Sequence, residues 1–365
     1  MGPGPNTAPG GGDQHETPRI LIIRLSAIGD VVMASGLLPA LRSRWPQAHV
    51  AWMVEPAVVP LLTDNPRVNE LIVWPRGEWR QLWRERRFIT LAQRVLALRR
   101  TLRAGRFDLV LDLQGLLKSA VWGWFSGAPR RICLIGREGS HWLATERVIP
   151  PSGGTAKRMG SEYRHLARHL GAMDDAFVPD LAIGNESREA AREALRASGI
   201  NAATRPYAVL CPFTTRPQKH WFEDRWTALA QRLHDAGWAP VLLGGPGDRE
   251  AAERIAAGVP GIVTLVGRLK LDASVAAISE AALLIGVDTG LTHMGSALNV
   301  PTVALFGSTC PYLDPVAPRS SVLYEKLACS PCRRNPTCGG RFDCMRALEV
   351  DRVLAEAQRV AAISP

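Results

Sequence analysis

Short apolar runs rich in β-branched residues recur along this chain, and each one stops at a turn before a helical segment begins. The first run, Arg19 to Leu25, ends at Ser26-Ala27-Ile28-Gly29-Asp30, and a helical pattern follows. Further strand-like runs in the first half cover residues 49–54, 70–74, 109–113 and 131–135. Strands that alternate with helices in this way predict a parallel sheet covered on both faces.

The same alternation restarts after a stretch rich in turn residues near 180–205. Strand-like runs there cover residues 207–213, 239–243, 262–266, 282–287 and 302–306. A chain of 365 residues is long enough for two domains, each with its own core. We therefore predict an α/β protein with two Rossmann-like, doubly wound domains and a cleft between them, where a large substrate would bind. The predicted divisions are a disordered tail (1–17), an N-terminal domain (18–180), a linker (181–205), a C-terminal domain (206–350) and a final helix (351–365).

The charge balance points to an anionic partner. The net charge is +10, from 44 Lys and Arg against 34 Asp and Glu, so part of the surface should attract anions such as nucleic acid, acidic lipid or a phosphorylated sugar. No apolar run approaches the roughly 20 residues that a membrane-spanning helix needs. The first 17 residues are rich in Gly and Pro and lack the apolar segment of a signal peptide, which predicts a cytoplasmic protein with reduced cysteines.

One segment concentrates this positive charge. Residues 75–87 hold five arginines and two tryptophans but only two acids, Glu78 and Glu85. An exposed helix with inward-facing Trp rings and Arg–Glu pairs is the simpler interpretation. Two acids cannot neutralise five arginines, however, so the composition favours a surface that binds phosphate or carboxylate. The arginines are Arg76, Arg80, Arg84, Arg86 and Arg87.

Two strand ends in the first half carry polar groups. Gly29-Asp30 is not a G-x-G-x-x-G loop, so it does not indicate a nicotinamide or flavin cofactor. Asp30 instead stands at a helix start, where a carboxylate is either a cap or a candidate base. The segment Asp112 to Ser119, which includes Lys118, should face the same crevice, because ligands bind beyond the carboxyl ends of parallel strands.

Three loops in the second half should converge on one ligand. Thr214 to Trp221 supplies two hydroxyls and Lys219, and Gly244 to Asp248 allows close backbone approach beside a carboxylate. Val287-Asp288-Thr289-Gly290-Leu291-Thr292-His293 reads as a strand end followed by a helix N-terminus that favours an anion. Each loop alone is also consistent with ordinary turn chemistry. Together they predict a pocket for a nucleotide diphosphate.

Four of these segments, in this order and spacing, resemble glycosyltransferase family 9, the lipopolysaccharide heptosyltransferases. They are Ile28-Gly29-Asp30-Val31-Val32, Asp112 to Ser119, Thr214 to Trp221 and Val287 to His293. The resemblance extends from about Arg19 to about Val316. Within the family, the Gln-Gly-Leu-x-Lys-Ser and Thr-Thr-Arg-x-x-Lys-His-Trp patterns are most similar to the heptosyltransferase I branch.

The resemblance implies a GT-B fold and metal-independent, inverting transfer of heptose from ADP-heptose to a Kdo sugar of the lipid A inner core. It implies that Asp30 is the general base and that Lys219 stabilises the departing diphosphate. The implied donor-binding residues are Thr214, Thr215, Asp248, Leu269, Asp288, Thr289, Gly290 and His293. Leu269 would contact adenine through its backbone. Asp248 stands where the family has a Glu, so Glu250 is a substitute candidate for the ribose.

The resemblance also gives the basic segment a partner. A phosphorylated lipid A acceptor is polyanionic and lies at the inner face of the inner membrane, where the five arginines and Lys118 would meet it. The protein would then be cytoplasmic and peripheral to that membrane. Nucleic acid is not expected, because no nucleic-acid-binding motif accompanies the charge.

Four cysteines near the end depart from the heptosyltransferase I pattern. Cys329, Cys332, Cys338 and Cys344 form a C-x₂-C-x₅-C-x₅-C series. Four thiols fit a tetrahedral structural zinc or iron site, and reduced thiols or a disulfide are the alternatives. Heptosyltransferase II-like and protein-modifying members carry cysteines in this region. The cysteines favour, as an alternative function, transfer to a protein or other-glycan acceptor. A non-catalytic sugar-nucleotide-binding module is a further alternative.

Overall fold

The computed structural model describes residues 17–151, 157–202, 204–332 and 335–363. The predicted disordered tail lies, apart from Thr17, outside the described residues. The strands are β1 (Arg19–Ile23), β2 (His49–Val54), β3 (Glu70–Val73), β4 (Leu109–Asp112), β5 (Arg130–Leu134), β6 (Glu146–Val148), β7 (Tyr207–Cys211), β8 (Ala239–Leu242), β9 (Val263–Thr264), β10 (Leu283–Val287), β11 (Thr302–Phe306) and β12 (Ser320–Tyr324). The α-helices are α1 (Ile28–Ala34), α2 (Leu37–Arg44), α3 (Arg76–Arg84), α4 (Phe88–Ala104), α5 (Leu117–Ser126), α6 (Ser161–His169), α7 (Asn185–Ala197), α8 (Glu223–Asp235), α9 (Arg249–Ala257), α10 (Leu271–Ser279), α11 (Gly290–Ala297), α12 (Asp343–Arg346) and α13 (Val350–Ala361).

The N-terminal sheet is parallel, with the strand order β3-β2-β1-β4-β5-β6. β1 lies near its centre, pairing with β2 on one side and β4 on the other. Its residues Ile20 to Ile23 are fully buried, which explains why the run is apolar on both faces. The order reverses between β1 and β4, so the loops after these two strands diverge and leave a crevice between them.

The C-terminal sheet repeats this design. Its order is β12-β11-β10-β7-β8-β9, again all parallel, so its first and fourth strands, β7 and β10, are the central neighbours. Both sheets thus have the strand order of a Rossmann fold, as the sequence predicted. Each sheet has its own crevice at the carboxyl ends of its two central strands.

The sequence analysis missed one edge strand in each sheet. Residues 136–165 contain no strand-like run in the sequence, but β6 lies within them and pairs with β5. β12, which pairs with β11, was not predicted. Both strands have a solvent-facing edge and include exposed or half-buried positions, so they lack the continuous apolar run that marks the central strands.

The two domains share an apolar core. One cluster of buried side chains includes Ile20 and Val50 of the first sheet and Val209 and Leu284 of the second. α1 of the first domain packs directly on α11 of the second. The backbone also pairs across the domains, because Met159 donates its N–H to the carbonyl of Asp314 at 2.8 Å. The two crevices therefore face each other at close range.

Candidate active site

Asp30 lies in the first turn of α1, just beyond the end of β1. The buried guanidinium of Arg24 forms an ion pair with its carboxylate. Nη1 of Arg24 also donates a hydrogen bond to the carbonyl of Leu113, 2.8 Å away. The Asp30 side chain remains 37% exposed. A carboxylate anchored from one side and open on the other is well placed to accept a proton from a bound molecule.

The segment after β4 holds this loop in position. Oδ1 of Asp112 accepts the N–H groups of Gln114 and Gly115, both at 3.1 Å, and Oδ2 accepts the Ser119 hydroxyl at 3.0 Å. Oε1 of Gln114 in turn accepts the N–H of Leu25 at 3.2 Å. Burial raises the pKa of Asp112 to about 6, against the effect of these hydrogen bonds. The segment is therefore a frame that fixes the loop carrying Asp30.

In the second domain, polar side chains converge on Asp288 at the end of β10. Nζ of Lys219 lies 2.6 Å from Oδ2 of Asp288, and Nε2 of His293 lies 3.2 Å from Oδ1. The hydroxyl of Thr309 donates to the same carboxylate. On the far side of the imidazole, the Tyr312 hydroxyl lies 2.8 Å from Nδ1 of His293. The loops after β7, β10 and β11 thus meet at one carboxylate.

The protonation state of Asp288 follows from these contacts. Burial alone would raise its pKa, but the hydrogen bond and charge of His293 and those of Lys219 outweigh burial and hold the pKa well below its ordinary value. Asp288 is therefore ionised at neutral pH and acts only as a hydrogen-bond acceptor.

The N-terminus of α11 lies beside this carboxylate. Thr289 occupies the N-cap position and Gly290 begins the helix, so the first N–H groups have no partner within it. The hydroxyl of Thr214 reaches the Asp288 carbonyl at 3.4 Å, and Thr215 is exposed next to it. Unpaired helix N–H groups next to a lysine make this corner suitable for an anion.

The two halves of the site touch through glycines. A Cβ atom added to Gly29 would overlap the imidazole of His293, and one added to Gly290 would overlap Ile28 and lie 3.3 Å from the backbone nitrogen of Gly29. These two glycines allow α1 and α11 to approach closely. Asp30, the residue after Gly29, therefore lies close to the polar cluster around Asp288.

Asp248 and Leu269, which the sequence predicts to bind the donor, contact other parts of the chain than the Asp288 cluster. Oδ2 of Asp248 accepts the N–H of Gly245 at 2.8 Å, which closes the turn after β8. Leu269 helps line a cavity of about 500 Å³ between α7 and the segment before α10, together with Arg268 and Lys270. Neither Asp248 nor Asp288 lines that cavity. Glu250, the substitute for Asp248, is exposed on α9.

The predicted acceptor-binding residues divide into two groups. Arg76 stands at the base of α3, 3.6 Å from Glu55 at the end of β2. Lys118 lies nearby on α5, where burial and then the charge of Arg76 lower its pKa. These two cations border the crevice of the first domain. Arg80, Arg84, Arg86 and Arg87 are instead exposed along α3 and its connection to α4.

The prediction of a metal site at the four cysteines is not supported. Among the described residues, which include all four cysteines, no group of three or more His, Cys, Asp or Glu side chains is placed to hold a metal ion. The thiols occupy different environments: Cys329 is exposed, whereas Cys344 is buried on α12. Burial, and then neighbouring thiols, raise the pKa of Cys332 and Cys344, which favours the protonated form.

Three site residues had no assigned role in the sequence analysis. Arg24 is the one charged residue in the apolar run from Ile20 to Leu25. This interruption is the only sequence signal that could have identified it as a site residue. Thr309 and Tyr312 reach Asp288 and His293 from beyond β11, and no local pattern marks them.

These features define a two-domain enzyme of the GT-B class, with Rossmann-like sheets whose crevices form one cleft. A carboxylate lies on one side of the cleft, and a corner suited to an anion lies on the other. None of the helices in the described part of the chain combines the length and apolar character needed to span a membrane.

Comparison with known proteins identifies the family. Residues 95–341 match the model of glycosyltransferase family 9 (heptosyltransferase), and the chain belongs to that family. It is 30% identical to lipopolysaccharide heptosyltransferase 1 of Pseudomonas aeruginosa, over 93% of this chain and 92% of the relative. The protein is therefore a glycosyltransferase.

Solved structures show the same architecture. A family 9 glycosyltransferase from Veillonella parvula superposes with a TM-score of 0.83 at 22% identity, covering 95% of this chain and 98% of that chain. The Escherichia coli heptosyltransferase WaaC with ADP-2-deoxy-2-fluoro heptose gives a TM-score of 0.70 at 25% identity, covering 93% and 99%. The expected GT-B fold is confirmed.

Proposed function

We propose that this glycosyltransferase moves heptose from ADP-heptose to a Kdo sugar of the lipid A inner core, with inversion at the anomeric carbon. The family description and the lipopolysaccharide heptosyltransferase relative support the transferred sugar and the pathway. The nucleotide sugar in the WaaC structure supports the donor. The observation that carries the mechanism is the position of Asp30 directly after Gly29, which packs against His293 of the Lys219–Asp288–His293 cluster.

In this mechanism Asp30 is the general base. The acceptor hydroxyl gives its proton to the Asp30 carboxylate while its oxygen attacks the anomeric carbon of heptose. The bond from that carbon to the diphosphate oxygen breaks, and ADP leaves with the bonding electrons. Arg24 is a positioning residue, because its ion pair with Asp30 and its hydrogen bond to Leu113 fix the direction of the carboxylate. General-base assistance of this kind contributes about 10² to 10⁴ in rate.

The donor half stabilises the leaving group without a metal. The Lys219 ammonium has three donors, and Asp288 takes only one of them. The others are available to the diphosphate, with the Thr215 hydroxyl and the N–H groups at the start of α11. The Thr214 hydroxyl, which donates to the Asp288 carbonyl, would join them by turning towards the diphosphate. One such preorganised donor is worth about 3–4 kcal/mol of barrier. We expect a chelator to leave the transfer rate unchanged.

The remaining donor contacts follow from charge. Since Asp288 is ionised, it repels a diphosphate, and we assign it to the hydroxyls of the heptose. His293, whose ring nitrogens bind Asp288 and Tyr312, is assigned to the same part of the donor site through its hold on Asp288. Asp248, or Glu250 in its place, is assigned to the ribose. The backbone of Leu269 is assigned to adenine.

The acceptor half carries the positive charge that a phosphorylated lipid requires. Arg76 and Lys118 border the crevice and are assigned to the acidic sugar. Arg80, Arg84, Arg86 and Arg87 are assigned to phosphates farther from the reacting hydroxyl. We place the enzyme in the cytoplasm, peripheral to the inner membrane, where such an acceptor is found.

The test is a transfer assay with defined substrates. Purified protein is incubated with ADP-heptose and Kdo-bearing lipid A, and the glycolipid is analysed by mass spectrometry. We expect one added heptose and one equivalent of ADP; a parallel reaction with ADP-glucose measures the selectivity for the sugar. If heptose were added only to polypeptide, the acceptor would be a protein and not lipid A. Donor binding without ADP release would mean a non-catalytic module.

A further inference from the structure

The connection between α3 and α4 exposes large apolar side chains. We call residues 83–89 the tip, and all seven of them are exposed. Trp83 is 64% exposed, Phe88 48% and Ile89 78%. The rings of Trp83 and Phe88 meet edge to face with centroids 5.2 Å apart. Such a group of exposed apolar side chains on one helix connection is typical of an interaction surface.

The same region carries most of the excess positive charge of the protein. Residues 76–106 contain ten arginines and two glutamates, a net charge of +8 out of +10 for the whole chain. Within the described structure, no acid forms an ion pair with Arg80, Arg84 or Arg86, and Arg87 meets only Glu85 at 3.8 Å. The apolar side chains of the tip thus lie in a segment with three guanidinium groups that have no acidic partner in the described structure. Exposed apolar and cationic side chains together complement a surface whose anionic phosphates cover an apolar interior.

The tip is held in place. The N–H of Arg87 donates to the carbonyl of Leu82 at 2.9 Å, and the N–H of Arg86 donates to that of Trp83 at 3.1 Å, which closes the turn. At the base of α3, the buried Trp79 packs edge to face on Trp74 and Trp122. The exposed apolar side chains are therefore presented outward by a fixed support.

We propose that the tip docks the enzyme on an anionic lipid bilayer, with Trp83, Phe88 and Ile89 inserted into the interface and the surrounding arginines at the lipid phosphates. The inference rests on the proposed function, since it provides the route by which a lipid-linked acceptor reaches the cleft. On α3, Arg76 at the cleft stands seven residues before Trp83, about 10 Å along the helix from the start of the tip. A docked tip therefore places the cleft just above the headgroups. Ile89, the most exposed of the three, has no ring for stacking on a base, which favours lipid over nucleic acid.

Vesicle binding tests the docking. The full-length protein is sedimented with vesicles of phosphatidylethanolamine containing about one third phosphatidylglycerol, and with phosphatidylcholine vesicles as the neutral comparison. We expect binding to the anionic vesicles only. The triple variant W83S/F88S/I89S should bind about 100-fold more weakly. The variant R84Q/R86Q/R87Q should also bind about 100-fold more weakly, with less dependence on salt.

The matched control replaces exposed apolar residues elsewhere. Met173 and Val178, in the segment after α6, are 62% and 53% exposed, and M173S/V178S should bind vesicles like the unmodified protein. The proposal would be overturned if M173S/V178S lost as much vesicle binding as W83S/F88S/I89S. It would also be overturned if W83S/F88S/I89S bound vesicles like the wild type. Absence of binding to anionic vesicles would also overturn it. Binding of a labelled single-stranded RNA that the triple variant loses, without vesicle binding, would assign the surface to nucleic acid.

Activity separates this inference from the proposed function. With a water-soluble, delipidated Kdo acceptor, W83S/F88S/I89S should transfer heptose at the wild-type rate; with the acceptor embedded in anionic vesicles its rate should fall at least about tenfold. Equal rates on both acceptors would refute the docking role while leaving the transferase activity intact. Vesicle binding without transfer by any form of the protein would instead refute the proposed function.

Discussion

Arg24 shows how a single buried charge can organise a catalytic group. It lies in an apolar environment, which is costly for an ion, and the cost is offset by its ion pair with Asp30 and its bond to the Leu113 carbonyl. The same two contacts connect the loops after β1 and β4. Arg24 therefore orients the Asp30 carboxylate and also contributes to local packing.

Replacing Arg24 should affect turnover more than donor binding. In R24M the carboxylate loses its anchor, and we expect kcat to fall about tenfold while the KM for the donor stays unchanged. R24K keeps the charge but lacks the planar fork that serves two acceptors, so its kcat should be intermediate. Initial-rate kinetics, with melting curves of each variant, measure this. Wild-type kcat in a folded R24M protein would exclude the positioning role.

The sequence located the main polar residues of the cleft but not how they are connected. Lys219, Asp288 and His293 stand in short motifs at strand ends of one sheet, so their common location follows from the rule for parallel sheets. Asp30 stands at the corresponding edge of the other sheet. The ion pair of Lys219 with Asp288 joins residues 69 positions apart, and no local pattern encodes it. The contribution of Tyr312 depends likewise on the path of the chain after β11.

Among the secondary-structure elements, the packing of α1 on α11 is the contact that closes the cleft. It depends on Gly29 and Gly290, since either Cβ would overlap the facing helix. From the sequence, both glycines were interpreted as turn or phosphate-binding residues. Their role in contact between domains became visible only in the structure, because it involves segments about 260 residues apart.

A methyl group at Gly29 should push the two helices apart. We expect G29A to lower kcat by about tenfold or more, because a displacement of about 1 Å between Asp30 and the donor site misaligns attack. The control is G77A on α3, where an added Cβ meets nothing within 4 Å. Steady-state kinetics of both variants compare them. Similar rates for G29A and G77A would show that the close approach is not needed.

The frame after β4 should give the protein a measurable pH dependence. The pKa of Asp112 is about 6 when folded, against an ordinary 3.8, so the folded state holds its proton more tightly than the unfolded chain. Stability from this group therefore decreases as the pH rises from about 4 to about 6. Asn at this position stays neutral and can still accept the N–H groups of Gln114 and Gly115.

We expect D112N to gain stability relative to wild type over that pH interval. The difference in unfolding free energy should grow by up to about 3 kcal/mol between about pH 4 and pH 7. Urea unfolding at several pH values measures it. A difference that is constant with pH would mean that Asp112 titrates at its ordinary value in the folded protein.

The central strands were predictable and the edges were not. β1 and β10 are buried on both faces and therefore appear as uninterrupted apolar runs. β6 contains Glu146 and Arg147, and β12 begins with two serines, so neither run stands out from a loop. Burial at a sheet edge is partial, and the hydrophobic signal weakens accordingly.

For the molecule as a whole, the shared core should make the two domains unfold together. The cluster that includes Ile20 also includes Val209, so neither domain can open without exposing apolar surface of the other. We expect a single calorimetric transition in the absence of ligand. ADP at about 100 times its Kd should stabilise the protein by about 2.7 kcal/mol. Two separate transitions would show that the domains are energetically independent.

The central claim is that Asp30 acts as the base opposite a separate donor site. The most direct measurement compares wild type with D30N for two quantities: kcat for heptose transfer to Kdo-bearing lipid A, and the Kd for ADP by calorimetry. We expect kcat to fall by about 10² to 10⁴, because the amide cannot take the acceptor proton, while the Kd for ADP changes by less than about threefold. A D30N protein that binds ADP normally and transfers heptose at the wild-type rate would contradict the claim.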